Sequence, residues 1–208
     1  MEGQTTPRSL EGWHARAISP SRFARVADAL TELAPRSPRL LLDVGTGDGG
    51  LAVEVGRRIG AAAVEGVDVL IRPRTVIPVK QFDGTTLPYA DGAADLVTIV
   101  DVLHHAKDAR RLLAEAVRVA GDGAVVVKDH YAHGPWSRAV LWGMDVVGNA
   151  AAGVPSPGHY FSERAWRDMV EAAGARVERT LYPLKIHSRP WRWVARSEYQ
   201  FACLLRRR

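Results

Sequence analysis

The sequence predicts an α/β protein built on a doubly wound, mostly parallel sheet, with its ligand at the carboxyl ends of the strands. Three observations carry that prediction. Apolar runs of strand length alternate with segments of helical periodicity along residues 39–129. The first run, Leu40 to Val44, passes directly into the glycine-rich turn Gly45-Thr46-Gly47-Asp48-Gly49. Acids recur at or near strand ends, at Asp43, Asp68, Asp83 and Asp101.

Each element follows from local signals. Ser19-Pro20 is a helix start, with serine as cap and proline at the first helical position, and Phe23, Val26, Ala27, Leu30 and Leu33 then share one face. Pro35 and Pro38 end this helix and lead to the first strand. Gly50 to Ile59 is the second helix, with Leu51, Val55 and Ile59 inward. Ala61 to Val69 is strand two, which puts Asp68 near its tip. Leu70 to Val79 carries Pro73 and Pro78, so the second crossover is shortened to a loop or a single turn. Val79 to Phe82 is strand three, Asp95 to Val102 strand four, and Ala106 to Ala120 a helix facing inward through Leu112, Leu113, Ala116 and Val117. Gly123 to Lys128 is strand five. A partly helical insertion follows over about 130–161, then a helix capped by Ser162 through Ala173, and Arg176 to Leu181 and Tyr199 to Leu205 complete the sheet.

Composition narrows the class. A chain of 208 residues with 47% hydrophobic and 25% charged residues suits one globular domain. No apolar run reaches membrane-spanning length, Met1 to Leu10 lacks the order of a signal peptide, and the single cysteine, Cys203, excludes an internal disulfide; the expectation is cytoplasmic. The net charge of +5 is C-terminal: 16 Lys+Arg stand against 17 Asp+Glu through Asp129, and 12 against 6 after it. The arginines are scattered apart from Arg206 to Arg208, and no aromatic-basic motif accompanies them, so a nucleic-acid partner is not expected. Oligomeric state is left open.

The turn also states a charge preference. A carboxylate at Asp43, just ahead of the first glycine, repels a diphosphate and attracts an ammonium or sulfonium group. The run Asp43-Val44-Gly45-Thr46-Gly47-Asp48-Gly49 resembles motif I of the class I S-adenosylmethionine-dependent methyltransferases. Further on, Asp83-Gly84-Thr85-Thr86-Leu87-Pro88-Tyr89, Asp95-Leu96-Val97 and Asp101-Val102-Leu103-His104-His105 look like the type 11 methyltransferase subgroup. The resemblance covers residues 39–129 and implies a Rossmann-like, seven-stranded sheet with an antiparallel final strand. It implies S-adenosylmethionine as cofactor, held by Asp43, Gly45, Thr46, Gly47 and Gly49 at the methionine end and by Asp68 and Val69 at the ribose. Phe82, Asp83 and Gly84 are placed at the adenine, and Asp101 joins the same set. Two bland readings stand beside these: Asp68 as a capping residue, and Asp83-Gly84 as a simple turn.

Methyl transfer is an in-line displacement that gains chiefly from alignment, and an acceptor hydroxyl also needs a base. His104 and His105 follow strand four, while Asp129 and His130 follow strand five; these four are the catalytic candidates. Lys128-Asp129-His130 also reads as an internal ion pair. Without cysteine ligands or an H-x-x-x-H spacing, no metal is expected. Trp136, Trp142, Met144, His159, Tyr160 and Phe161 are candidate walls for a small organic acceptor, with oxygen the favoured acceptor atom. The competing readings are a nicotinamide-dependent oxidoreductase, which shares the sheet and the acid after strand two, and a noncatalytic subunit that keeps the cofactor fold.

Overall fold

The structure, a computed structural model, describes residues 20–149, 159–187 and 196–208; Ser19, the expected first cap, lies outside them. In chain order the elements are α1 (Pro20–Leu33), β1 (Leu40–Val44), α2 (Gly50–Ile59), β2 (Ala63–Asp68), β3 (Val79–Gln81) and β4 (Leu96–Val100). They continue with α3 (Ala109–Ala120), β5 (Ala124–His130), α4 (Pro135–Asn149), α5 (Glu163–Ala172), β6 (Ala175–Leu181) and β7 (Gln200–Arg207). Single 3-10 turns occupy Leu103–His105 and Ser197–Tyr199.

The seven strands lie in the order β3-β2-β1-β4-β5-β7-β6. Strands β1 to β5 pair in parallel, and β7 runs antiparallel to both β5 and β6. The chain leaves β1 toward β2 on one side and later returns to β4 on the other. The topological switch point therefore lies between β1 and β4, where such sheets bind ligands.

Alternating side chains split the core between two faces. Leu42, Val44, Val97, Ile99, Val125 and Val127 bury against α3 and α5, whereas Leu41, Leu96, Val126, Ala202 and Leu204 bury against α1 and α2. Each fully buried Leu, Ile or Val contributes about 1.5–3 kcal/mol of transfer free energy. That two-sided cover explains why the strands read as continuous apolar runs.

Several boundaries differ from the sequence expectation for visible reasons. The helix after β4 starts at Ala109 rather than Ala106, because the Asp108 side chain accepts from the Arg111 backbone N–H at 2.9 Å and caps it there. β5 runs on to His130 because β7 pairs with it as far as the His130–Gln200 step. Residues 70–78 form no helix, as the two prolines require, and leave Val69, Leu70, Ile71 and Val76 exposed beside the ligand end of β2. Among the described residues, no helix is long and apolar enough to cross a membrane.

Candidate functional site

Two clusters flank the switch point. The first is the turn between β1 and α2. Gly45 has φ of +71°, and a Cβ there would stand 2.3 Å from Val102 Cγ2, so only glycine allows the turn to pack against the end of β4. Gly47 has φ of +61°, and a Cβ there would meet nothing within 4 Å. The loop is thus closed against protein at Gly45 and open at Gly47, the shape of a backbone cradle.

Acids surround that cradle. Asp43 is buried at the end of β1 and accepts from the Thr98 hydroxyl at 2.6 Å. Burial pushes its carboxyl up to about 6 against the pull of the Thr98 and Thr46 hydroxyls, with nearby Asp68 adding to the rise. Asp68 Oδ2 accepts from Gly47 N–H at 2.8 Å and Oδ1 from Leu70 N–H at 3.1 Å. It is therefore a loop pin as well as a candidate ribose ligand, since each oxygen keeps a second lone pair. Val69 lies beside Gly84, whose Cβ would stand 3.2 Å from Val69 Cγ1, so the ends of β2 and β3 form one rim.

Two residues assigned to the cofactor have other partners. Asp83 is exposed, and its Oδ1 accepts from Thr85 N, Thr85 Oγ1 and Thr86 N at 2.7, 2.9 and 2.7 Å, which makes it the pin of its own turn. Asp101, at φ +57°, is bound by Lys128 Nζ at 2.5 Å and Arg22 Nη2 at 2.7 Å. Lys128 first, then His130, Arg22 and His104, hold its carboxyl well below the usual range despite burial, so its charge serves the protein's own ion cluster. Phe82 packs partly buried against the α3-side core.

The second cluster lies beyond β4 and β5. His104 is fully buried, with Nδ1 2.6 Å from Asp129 Oδ1 and Nε2 3.4 Å from Asp145 Oδ2. Burial alone would lower it, but Asp129 and Asp145 override that and hold it up at about 10. His104 is a bound imidazolium at neutral pH, which removes it from the base role expected of it. Asp145 in turn accepts from the Tyr160 hydroxyl, and the Tyr160 ring stacks on His104 at 5.5 Å between centroids.

His105 and His130 differ from it. His105 is partly exposed and lowered by burial and by charged His104. His130 is buried and lowered by burial and by Lys128, with Nδ1 3.4 Å from Asp129 Oδ1 and 3.5 Å from Asp101 Oδ1. Both are neutral at pH 7. Lys128, fully buried, forms the strand-end ion pair with Asp101.

The expected acceptor walls separate. Trp136 and Trp142 project from α4 at 77% and 53% exposure, and His159 is exposed, so among the described residues these three enclose nothing. Phe161 packs beside Trp166 on the α3 side of the sheet, and Met144 is half-buried. Only Tyr160 joins the histidine cluster. Sequence reasoning missed Asp145, Gln200, His187 and Arg22. An acid inside the apolar stretch Leu141-Trp142-Gly143-Met144-Asp145-Val146-Val147 was a readable signal; Gln200 and His187 offered none.

A doubly wound sheet with a glycine cradle at its switch point, a buried acid before it and an acid at the tip of the next strand defines a nucleoside-cofactor-binding α/β domain. Residues 19–180 match the family model described as a methyltransferase domain, and the chain belongs to that family, the S-adenosylmethionine-dependent methyltransferases of class I. The nicotinamide alternative falls with that assignment. The chain is 29% identical over 127 residues to norajmaline N-methyltransferase of Rauvolfia serpentina, a match covering 54% of this chain and 41% of that protein. It spans about two fifths of the length of such curated relatives. Among solved structures, a Haloferax volcanii methyltransferase bound to the Trm112 activator shares the fold at TM-score 0.70 and 15% identity, over 98% of this chain and 99% of that one. Geranyl diphosphate C-methyltransferase of Streptomyces coelicolor, solved with S-adenosylhomocysteine, does so at 0.66 and 15%, over 98% and 88%.

The cradle fits the family's cofactor on its own geometry. The open face at Gly47, the buried Asp43 carboxyl and the spare lone pairs of Asp68 suit a ligand with one cationic end and a ribose.

Proposed function

We propose that this chain transfers a methyl group from S-adenosylmethionine to a hydroxyl of a small organic acceptor, with His130 as base. Asp43 and the Gly45–Gly49 turn hold the methionine end, Asp68 the ribose, and Val69 with Gly84 the adenine edge. When bound, the cofactor supplies a methyl group on a cationic sulfur, and transfer to oxygen breaks one C–S bond and forms one C–O bond. His130 takes the hydroxyl proton at Nε2. Its Nδ1 faces the Asp129 and Asp101 carboxylates, which favour the tautomer with the proton on Nδ1 and stabilise the imidazolium once formed.

The observation that carries this reading is that the buried His130 imidazole is set between the Asp129 and Asp101 carboxylates at the end of β5. His104, already protonated, supports it from behind by fixing Asp129. Relatives with N- and C-methyltransferase names do not choose the acceptor atom; the neutral base favours oxygen, because an amine or activated carbon needs less help losing a proton. The buried single cysteine suits a cytoplasmic setting.

The test is methyl release at saturating cofactor with a panel of hydroxyl acceptors. His130→Ala should lower turnover about 10²- to 10⁴-fold while S-adenosylhomocysteine affinity stays near the parent value. Parental turnover in His130→Ala, with the loss appearing in His105→Ala instead, moves the base to His105. Parental turnover in both variants leaves positioning of an already nucleophilic acceptor as the mechanism.

A further inference from the structure

Gln200 opens β7 directly opposite His130 in the β5–β7 register. Opposed residues of an antiparallel pair leave the sheet on the same face with Cβ atoms about 5 Å apart, so these two side chains are neighbours. The Gln200 side chain is fully buried, yet among the described residues neither its amide oxygen nor its amide nitrogen has a hydrogen-bond partner. Buried carboxamides left unpartnered are rare because they weaken the fold. Other buried atoms of the described residues share this state, among them His104 Nε2, Asp129 Oδ2, His130 Nδ1 and His187 Nε2. His187 belongs to the segment whose Leu184 N–H donates to the Gln200 carbonyl at 3.0 Å, and its pKa is pushed down to about 4 by burial, with Arg22, Lys128 and His130 adding to the fall.

The charges around these atoms close on themselves. Asp101 is bound by Lys128 and Arg22, and His104 lies between Asp129 and Asp145. The unpartnered group that stands opposite His130 across the two strands is the Gln200 carboxamide, which carries no charge. A carboxylate ligand would meet cations already engaged by Asp101.

We propose that Gln200 reads the methyl acceptor: its carboxamide binds a hydroxyl or carbonyl oxygen adjacent to the hydroxyl that His130 deprotonates, so the acceptor is an uncharged molecule with two neighbouring oxygen functions, such as a catechol or a vicinal diol. The carboxamide offers one donor group and one acceptor, which a neighbouring hydroxyl satisfies from both sides. A site that must hydrogen-bond such an oxygen also rejects analogues lacking it, because the amide is then left buried and unpaired. This inference rests on the base role given to His130.

The experiment uses the full chain saturated with S-adenosylhomocysteine and three probes, catechol, benzoate and phenethylamine, followed by ligand-observed NMR. Catechol should bind at least about tenfold more tightly than either charged probe, and Gln200→Leu should weaken catechol about tenfold or more while S-adenosylhomocysteine affinity is unchanged. Gln200→Leu and Gln200→Met should also melt a few degrees higher than the parent, since an apolar replacement removes an unpartnered buried amide. Equal binding of a charged probe, unchanged catechol affinity in Gln200→Leu, or a lower melting temperature in both variants overturns the proposal. Failure to bind S-adenosylhomocysteine, or parental turnover in His130→Ala, overturns the underlying reading instead, so the two failures are distinguishable.

Discussion

Asp43→Asn should make the protein more stable and less able to hold its cofactor. In the fold, Asp43 sits at the buried end of β1, bonded to the Thr98 hydroxyl at 2.6 Å, with a pKa raised from 3.8 to about 6. The folded state therefore holds this proton more tightly than the unfolded chain, and the carboxyl weakens the fold as pH rises from about 4 through 6. The shift corresponds to about 3 kcal/mol at most above pH 6, a contribution the amide removes while keeping an oxygen for Thr98. Urea unfolding should show Asp43→Asn stabilised by roughly 1–3 kcal/mol near pH 7.5 and by almost nothing near pH 4. Binding runs the other way, because a cationic ligand needs the ionised form. Parent affinity for S-adenosylhomocysteine should fall about tenfold per pH unit below 6, whereas the Asn variant should bind weakly with no such slope. A variant that is less stable at neutral pH, or that keeps the parent's pH slope, refutes the reasoning.

Three other outcomes follow from the same geometry. Asp68→Ala should weaken adenosyl ligands by about 1.5–3 kcal/mol but deoxyadenosyl ligands by less; equal losses in calorimetry would confine Asp68 to pinning Gly47 and Leu70. His104→Ala should cost about 3–5 kcal/mol in urea unfolding, because it leaves Asp129 buried without its charged partner, and a loss below about 1 kcal/mol would contradict the bound imidazolium. Arg22→Ala should leave Asp101 with Lys128 alone and lower stability less than Lys128→Ala does, since Arg22 is partly exposed and Lys128 is not; the reverse order in thermal unfolding would contradict the cluster.

What could be read in advance divides along physical lines. Backbone-scale features were legible: the switch-point glycines, the shortened crossover enforced by Pro73 and Pro78, and the alternation that builds a two-faced sheet all depend on local chemistry. Side-chain partnerships across the sheet were not. His104, His105 and His130 read alike, and what sets His104 apart as a held cation is its 2.6 Å contact with Asp129 together with Asp145, delivered by α4. Asp101 resembled a cofactor acid until Lys128 and Arg22 converged on it from β5 and α1. Aromatic residues misled for a similar reason: Trp136 and Trp142 suited pocket walls by type, but their phase on α4 turns them outward. Gln200 carried no signal until the strand register set it against His130.

The most direct test of the central claim is isothermal titration of S-adenosylhomocysteine into the full chain and its Gly47→Val variant. A Cβ added at Gly47 meets open space where one at Gly45 would meet Val102, so valine at position 47 places a branched side chain in the cradle at a positive φ it tolerates poorly. The account predicts saturable one-to-one binding by the parent, no binding of NAD or NADP, and at least about a tenfold loss in a folded Gly47→Val protein, which corresponds to about 1.4 kcal/mol or more. Near-parental S-adenosylhomocysteine affinity in that variant would contradict it.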